Sequence, residues 1–292
     1  MSSIVKSHIS LFVATLLFAI NYWISKDLVG NISVTQLVFF RTIGATVIFL
    51  VIFVIRPKQK IPLKDILYLG FAGLFGIALN QFLFFGGLQY TSAIDTATIH
   101  ISNPIIVLVL SIIFLKSKFT KTRFIGVLLG ALGAIIIILY NKNFHINVYS
   151  LKGNLMILGN TTAYAIFLVM MKPILKKYDI FTIMFWVYVF ASMLILPFGI
   201  GAFSNTNIVL LIQDHAISLF YIIVMITFLA YFLSAYSLRK LSPTVVSFYI
   251  YLQPVLAMVI AIILGEELPS LVKIIASLII FLGVYLVNKE PS

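Results

Sequence analysis

The sequence predicts an all-α integral membrane protein, with ten transmembrane helices arranged as two inverted five-helix repeats. Composition is the first of three observations behind that expectation. Of the 292 residues, 62% are hydrophobic and 10% charged, whereas a soluble chain carries about a quarter charged residues. The mean hydropathy is +1.16. Second, the apolar residues fall into ten runs, each of a length that crosses a bilayer as a helix. Third, the two halves of the chain resemble each other at a spacing near 150 residues, and their loop charges reverse between them.

The spans follow in order. The first, 8–25, lacks a strongly basic leading region and a small-residue cleavage site, so it reads as a retained helix rather than a signal peptide. Spans 34–55 and 66–89 are separated by Arg56-Pro57 and Pro62, which cannot continue a helix. Spans 95–115 and 122–140 follow, and the polar stretch from Asn141 to Asn147 closes the first half. Spans 151–172 and 180–200 open the second half, with Ser204 to Asn207 after them. Span 216–238 ends before Ser242-Pro243, span 243–264 before Pro269, and span 270–287 completes the set. The runs are too long for barrel strands and do not alternate in polarity.

Basic residues set the orientation, because Lys and Arg concentrate on the cytoplasmic side. With the N-terminus inside, the inner segments hold fifteen of the 20 basic residues and the outer segments four; Arg41 lies within a span. Both ends are therefore expected in the cytoplasm. The net charge of +12 is a property of short loops between apolar spans, so nucleic-acid binding is not expected. No cysteine is present, which excludes a disulfide framework and a thiolate metal site. Lys outnumbers Arg 16 to 4, a bias of AT-rich bacterial genomes, and the expected location is the cytoplasmic membrane as a multi-pass protein.

The internal likeness divides the chain into 1–145 and 146–292. Asn103-Pro104 matches Gln253-Pro254, Leu132-Gly133 matches Leu282-Gly283, and Ser92 matches Ser242. Each half has an odd number of spans, so the second runs through the membrane inverted. The loop charges agree: Lys116 and Lys118 follow span four, whereas Glu266 and Glu267 follow span nine. Inverted repeats of this kind build secondary transporters, with the site between the halves near the midplane.

Polar groups at membrane depth are costly and turn toward the bundle interior, so they locate the expected cavity. Thr96, His100 and Asn103 share one helix face in span four. Pro104 lacks an N–H and frees the carbonyl of His100; Pro254 does the same to Ile250, beside Tyr249 and Gln253. Broken helices at corresponding depths point to a binding site. Asn21 in span one, Asn80 and Gln81 in span three, Asn160 and Tyr164 in span six, and Tyr231 in span eight complete the candidate substrate-binding set of Asn21, Asn80, Gln81, His100, Asn103, Asn160, Tyr164, Tyr231, Tyr249 and Gln253. Amide and phenol groups donate and accept without carrying charge into lipid, which suits a neutral or zwitterionic solute. The competing reading of each residue is an interhelical hydrogen bond, worth roughly 0.6 kcal/mol on average.

Arg41 is the one obligate charge well within a span. Its expected role is structural or gating, paired with Asp95 at matching depth, together with Pro104 and Pro254 as helix breaks. Capture of a substrate carboxylate by Arg41 is the alternative. His100 titrates near neutral pH and is the candidate carrier of a coupling proton. Its alternative is a neutral imidazole satisfied by Asn103 or a neighbouring helix.

In their order along the spans, the motifs resemble the drug/metabolite transporter superfamily, in particular its EamA-type branch, over nearly the whole chain. Phe18-Ala19-Ile20-Asn21 with Lys26 is similar to that family's Trp-Gly-x-Asn and following Lys, with Phe18 in place of Trp. Tyr164-Ala165 with Lys172 repeats it loosely, and Arg41 stands where the family often has an Arg. Gly87 to Ala93, the two prolines and Leu264-Gly265-Glu266-Glu267-Leu268 also resemble family segments. The first-half counterpart of that last turn, Leu115-Lys116-Ser117-Lys118, departs from it, with Ser117 in the acidic place. The resemblance implies a ten-helix basket around a central cavity that exports or exchanges small metabolites, amino acids among them.

The expected function is therefore a secondary transporter, exporting a small organic metabolite by alternating access. Its partners are that small-molecule substrate, the lipid bilayer and, through His100, a coupling proton; no cofactor is expected. The alternative is a non-transporting membrane sensor or structural protein. An intramembrane enzyme fits less well, because the His residues at 8, 100, 145 and 215 are scattered and no second acid accompanies them at midplane. No ring of charge marks a channel.

Overall fold

The computed structural model describes the chain except residues 1, 30, 57–58, 92, 140–150, 204–207, 266–269 and 290–292, and except the side chains of 22–23, 25–27, 29, 93–95, 98, 138–139, 208–209 and 289. It is all helical among the described residues. Ten columns appear in the expected order. They are α1 (Ser3–Val29), α2 (Val34–Ile55), α3 (Leu63–Leu88), α4 in two pieces (Ala93–His100 and Asn103–Leu115), α5 (Lys121–Leu139), α6 (Leu151–Ile174), α7 (Ile180–Ala202), α8 (Ala216–Lys240), α9 (Pro243–Ile263) and α10 (Leu271–Lys289). A short helix, Ile208–Asp214, precedes α8. Among the described residues, eight of the columns are each long and apolar enough to cross a membrane, and the second piece of α4, Asn103–Leu115, is a shorter apolar helix. The protein is a multi-pass membrane protein.

Local chemistry sets the helix ends. Ser33 caps α2 reciprocally with Gln36, Asp179 accepts from Phe181 at the start of α7, and Ser242 accepts from Val245 with Pro243 in the first turn of α9. Each cap satisfies an N–H group that has no helical partner. The α2 sequence then sorts by helical period. Arg41, Thr42, Ala45 and Phe49 turn inward and are buried, whereas Val47, Val51 and Val54 are exposed toward lipid. Apolar outside and polar inside is the arrangement a bilayer favours, because hydrocarbon cannot satisfy a polar group.

Helix packing follows one pattern. α5 pairs with α10 and α2 with α7. The α3–α6 contact is mirrored by α8–α1, α4–α6 by α9–α1, and α3–α7 by α8–α2. Advancing each helix by five positions maps one set of contacts on the other. The α5–α10 seam shows why. A Cβ on Gly283 would lie 2.7 Å from the carbonyl oxygen of Gly126, and one on Gly133 2.7 Å from that of Ala276. Small residues let these backbones touch.

Helical geometry is disturbed at corresponding places in the two halves. α3 contains a π-helical turn at Leu74–Ala78 and α8 one at Tyr221–Ala230. α4 breaks between His100 and Asn103, and α9 tightens into a 3-10 turn at Tyr249–Tyr251. The prolines that follow, Pro104 and Pro254, have no N–H to continue the ladder. Contacts between the halves tie together the face at which α1 begins: Arg56 with Asp179 at 3.1 Å, Lys177 with Asp65 at 3.3 Å, and the Tyr178 hydroxyl donating to Asp65 at 2.7 Å.

Candidate functional site

A cavity of about 520 Å³ lies between the halves, within the size range of small-molecule sites. Its wall runs from Leu11, Val246 and Tyr249 to Leu88 and Thr91 at the far end of α3. All ten residues expected to meet substrate line it: Asn21, Asn80, Gln81, His100, Asn103, Asn160, Tyr164, Tyr231, Tyr249 and Gln253. They come from α1, α3, α4, α6, α8 and α9. Arg41 of α2 lines it too.

The amides are built into a network across α3, α4 and α6. Asn160 Nδ2 donates to the Asn80 carbonyl at 2.8 Å, and Asn80 Nδ2 donates to the Asn160 carbonyl at 3.3 Å. This orientation turns Asn160 Oδ1 to His100 Nε2, 3.0 Å away. An amide oxygen only accepts, so Nε2 carries the proton. His100 also stacks on Phe84, with ring centroids 5.7 Å apart. The partner of His100 is thus a neighbouring helix, through Asn160 rather than Asn103. Asn103 instead donates from Nδ2 to the Thr161 carbonyl at 2.9 Å. Tyr231 reaches Asn80 Oδ1 at 3.4 Å and is flanked edge-on by Phe18, Tyr164 and Tyr188.

Several polar atoms in this wall are buried and lack a hydrogen-bond partner among the described residues. They are Asn21 Oδ1, Asn103 Oδ1, Thr161 Oγ1 and both amide atoms of Gln81. Each such atom is costly when nothing answers it.

Arg41 is 4% exposed. Its Nε donates to Thr227 Oγ1 at 3.0 Å, and its guanidinium lies 5.0 Å from the ring centre of Phe85. Thr227 lies within the π-helical stretch of α8 and donates in turn to the Ile222 carbonyl at 2.6 Å, while Tyr188 donates to the Thr227 carbonyl at 2.6 Å. The side chain of Asp95, the expected partner, lies outside the described residues, so that pairing is not observed. Glu266 and Glu267 of the expected turn lie outside them as well. The α4 break falls one residue beyond the expected carbonyl: Tyr251 donates to Ile101 at 2.9 Å.

Three participants escape a reading of the sequence. Thr227 and Tyr188 anchor Arg41, and nothing in their own segments marks them. His8 contacts the Tyr249 hydroxyl at 2.8 Å through Nδ1, at the end of the cavity nearer the start of α1. One signal was available for His8, since a histidine within an apolar run needs an interior partner.

The comparisons with known proteins agree with this fold. The EamA-like transporter family profile matches the chain twice, over residues 5–139 and 151–289. An uncharacterized transporter of Archaeoglobus fulgidus is 23% identical over 287 residues, covering 98% of each chain. The uncharacterized transporter YdfC of Bacillus subtilis is 26% identical over 240 residues, 80% of this chain and 76% of its own. A WAT1-related protein of Arabidopsis thaliana is 26% identical over 328 residues, 98% of this chain and 86% of its own. A solved crystal structure shares the fold with a TM-score of 0.80 at 14% identity, covering 97% of this chain and 96% of that one. With both halves matched by the profile, the chain belongs to the EamA-like transporter family.

Proposed function

We propose that the protein is a secondary transporter that moves a small organic solute across the cytoplasmic membrane by alternating access. The observation that carries this is the cavity: its wall is drawn from both halves, it lies at the broken helices, and it holds buried polar atoms without partners among the described residues. Alternating access needs a central site and two bodies that rock about it. Residues 1–145 and 146–292 are those bodies in this reading, supported by the doubled family match and by the mirrored helix contacts.

The solute is neutral or zwitterionic, an amino acid or similar metabolite, because amides and phenols dominate the wall. The ten lining residues named above are its contacts, and Pro104 and Pro254 hold the breaks on which the halves turn. Both ends of the chain face the cytoplasm by the distribution of basic residues. Export is the working direction. The polar contacts at the cytoplasmic face, Arg56 with Asp179 and Asp65 with Lys177, then form a latch that separates when the cavity turns inward.

The test is uptake of labelled amino acids and nucleobases into proteoliposomes, against protein-free vesicles, with and without a pH gradient. Saturable uptake of one class supports the reading and reports on proton coupling. Absence of uptake for every solute, with folded protein in sealed vesicles, would sink it.

A further inference from the structure

The wall of the cavity contains one feature that a neutral solute does not explain. Arg41 is buried and lines the cavity, and among the described residues no carboxylate pairs with it. Arginine keeps its charge under all ordinary conditions, and a cation held within a membrane span favours an anionic partner. The side chain is nonetheless held in place. Nε is bonded to Thr227, whose own hydroxyl and carbonyl are engaged by Ile222 and Tyr188, and the guanidinium lies over Phe85. With Nε anchored, the Nη hydrogens remain, and they have no hydrogen-bond partner among the described residues. The guanidinium fork is the donor geometry that a carboxylate accepts with both oxygens.

Gln81 is the second, independent observation. It is 2% exposed, lines the same cavity, and has no partner for either amide atom among the described residues. Gln81 lies one helical turn before Phe85, the ring beneath Arg41, so a group that both donates and accepts is expected beside the anion once the amide turns toward it.

We propose that the cavity selects solutes bearing a carboxylate, which Arg41 binds, while the Gln81 amide bonds an adjacent amino, hydroxyl or keto group. This rests on the transporter reading and the same cavity, and it widens the solute from zwitterions to organic anions. It assigns the substrate class to 2-amino, 2-hydroxy and 2-oxo carboxylic acids. Amines, and cations without a carboxylate, are rejected by the fixed positive charge.

The experiment measures binding and transport separately. The purified protein is titrated with L-phenylalanine, L-alanine, lactate and pyruvate, each against its own carboxamide, following thermal stabilisation; the same pairs are then tested for uptake into proteoliposomes. The acid should bind about ten- to a hundredfold more tightly than its amide, the weight of a charged hydrogen bond. Arg41→Met should abolish that preference, and Arg41→Lys, which keeps the charge without the fork, should retain part of it. The wild-type comparison needs no variant, so a misfolded Arg41→Met leaves the test intact. Equal binding of acid and amide, or no binding by any of the four acids, overturns the proposal. So does Asp95→Asn if it raises acid affinity by freeing Arg41, since Asp95 would then be the resident carboxylate. Binding with acid preference but without uptake would overturn the transporter reading and leave the carboxylate site standing.

Discussion

The hydroxyl of Tyr251 donates to the carbonyl of Ile101 at 2.9 Å across 150 residues of chain. That separation is the spacing at which the halves repeat, so the bond joins two equivalent positions. Each lies in the disturbed turn ahead of its proline, Pro104 in one helix and Pro254 in the other. The two broken helices thus meet at their breaks, between α4 and α9, where one half contacts the other. Tyr251→Phe removes the donor and leaves a carbonyl unanswered in a buried turn. The expected cost is about 1–2 kcal/mol, read as a lower midpoint in thermal unfolding of the purified protein. An unchanged midpoint would mean that the bond contributes nothing.

Asn160 carries more of the network than any neighbour. Its side chain serves the Asn80 carbonyl and His100 together. Asn160→Leu leaves both without their partner and should cost about 2–4 kcal/mol. Thr162→Ala, two residues on, half-buried and donating to the Leu158 carbonyl of its own helix, should stay within about 0.5 kcal/mol. Equal effects at the two positions would argue that the amide network is not a stability element.

The α5–α10 seam gives a steric prediction with its own control. At Gly283 an added methyl would meet the carbonyl of Gly126 at 2.7 Å and the backbone nitrogen of Gly130 at 2.9 Å, neither of which can yield alone. Gly283→Ala should destabilise by about 1–3 kcal/mol through forced separation of the helices. Gly201→Ala meets nothing within 4 Å and should be neutral. Thermal unfolding of the two variants side by side decides it.

Cysteine labelling tests alternating access directly, because the chain has no cysteine of its own. Asn21→Cys and Asn103→Cys should react with a membrane-impermeant maleimide, and a solute that occupies the cavity should slow both reactions. If neither position reacts from either side under any condition, the cavity is not an aqueous route.

His100 presents a donor to Asn160 through Nε2. A glutamine side chain also supplies an N–H donor. His100→Gln is therefore expected to retain solute binding and to leave the effect of a pH gradient on uptake unchanged. Loss of that effect with binding preserved would identify His100 as a proton carrier.

How much of this was legible beforehand differs by kind of feature. Ten columns follow from hydropathy alone, because each span must satisfy its backbone internally and cover itself with apolar side chains. The breaks near residues 101 and 250 follow from Pro104 and Pro254, since a missing N–H acts locally. The lining residues were legible for a related reason: Asn80, Gln81, Asn103 and Asn160 are expelled by lipid, and so share the interior. Their partners were not legible. Asn160 was assigned to the cavity, but its bonds to the Asn80 carbonyl and to His100 emerge only from the packing of α3 and α4 against α6.

Arg41 marks the boundary between the two kinds of knowledge. The sequence by itself determined that a charge sits within span two and must face the interior, because a cation at that depth is costly in hydrocarbon whichever helices adjoin it. Only the tertiary structure decided that Thr227 and Phe85 hold it and that it lines the cavity. Those contacts depend on which helices adjoin and how each is rotated. Rotation is set by short-range packing, such as Gly126 against Gly283 and the π-helical stretch of α8, and the hydrophobic pattern that inserts a helix in the bilayer does not encode it.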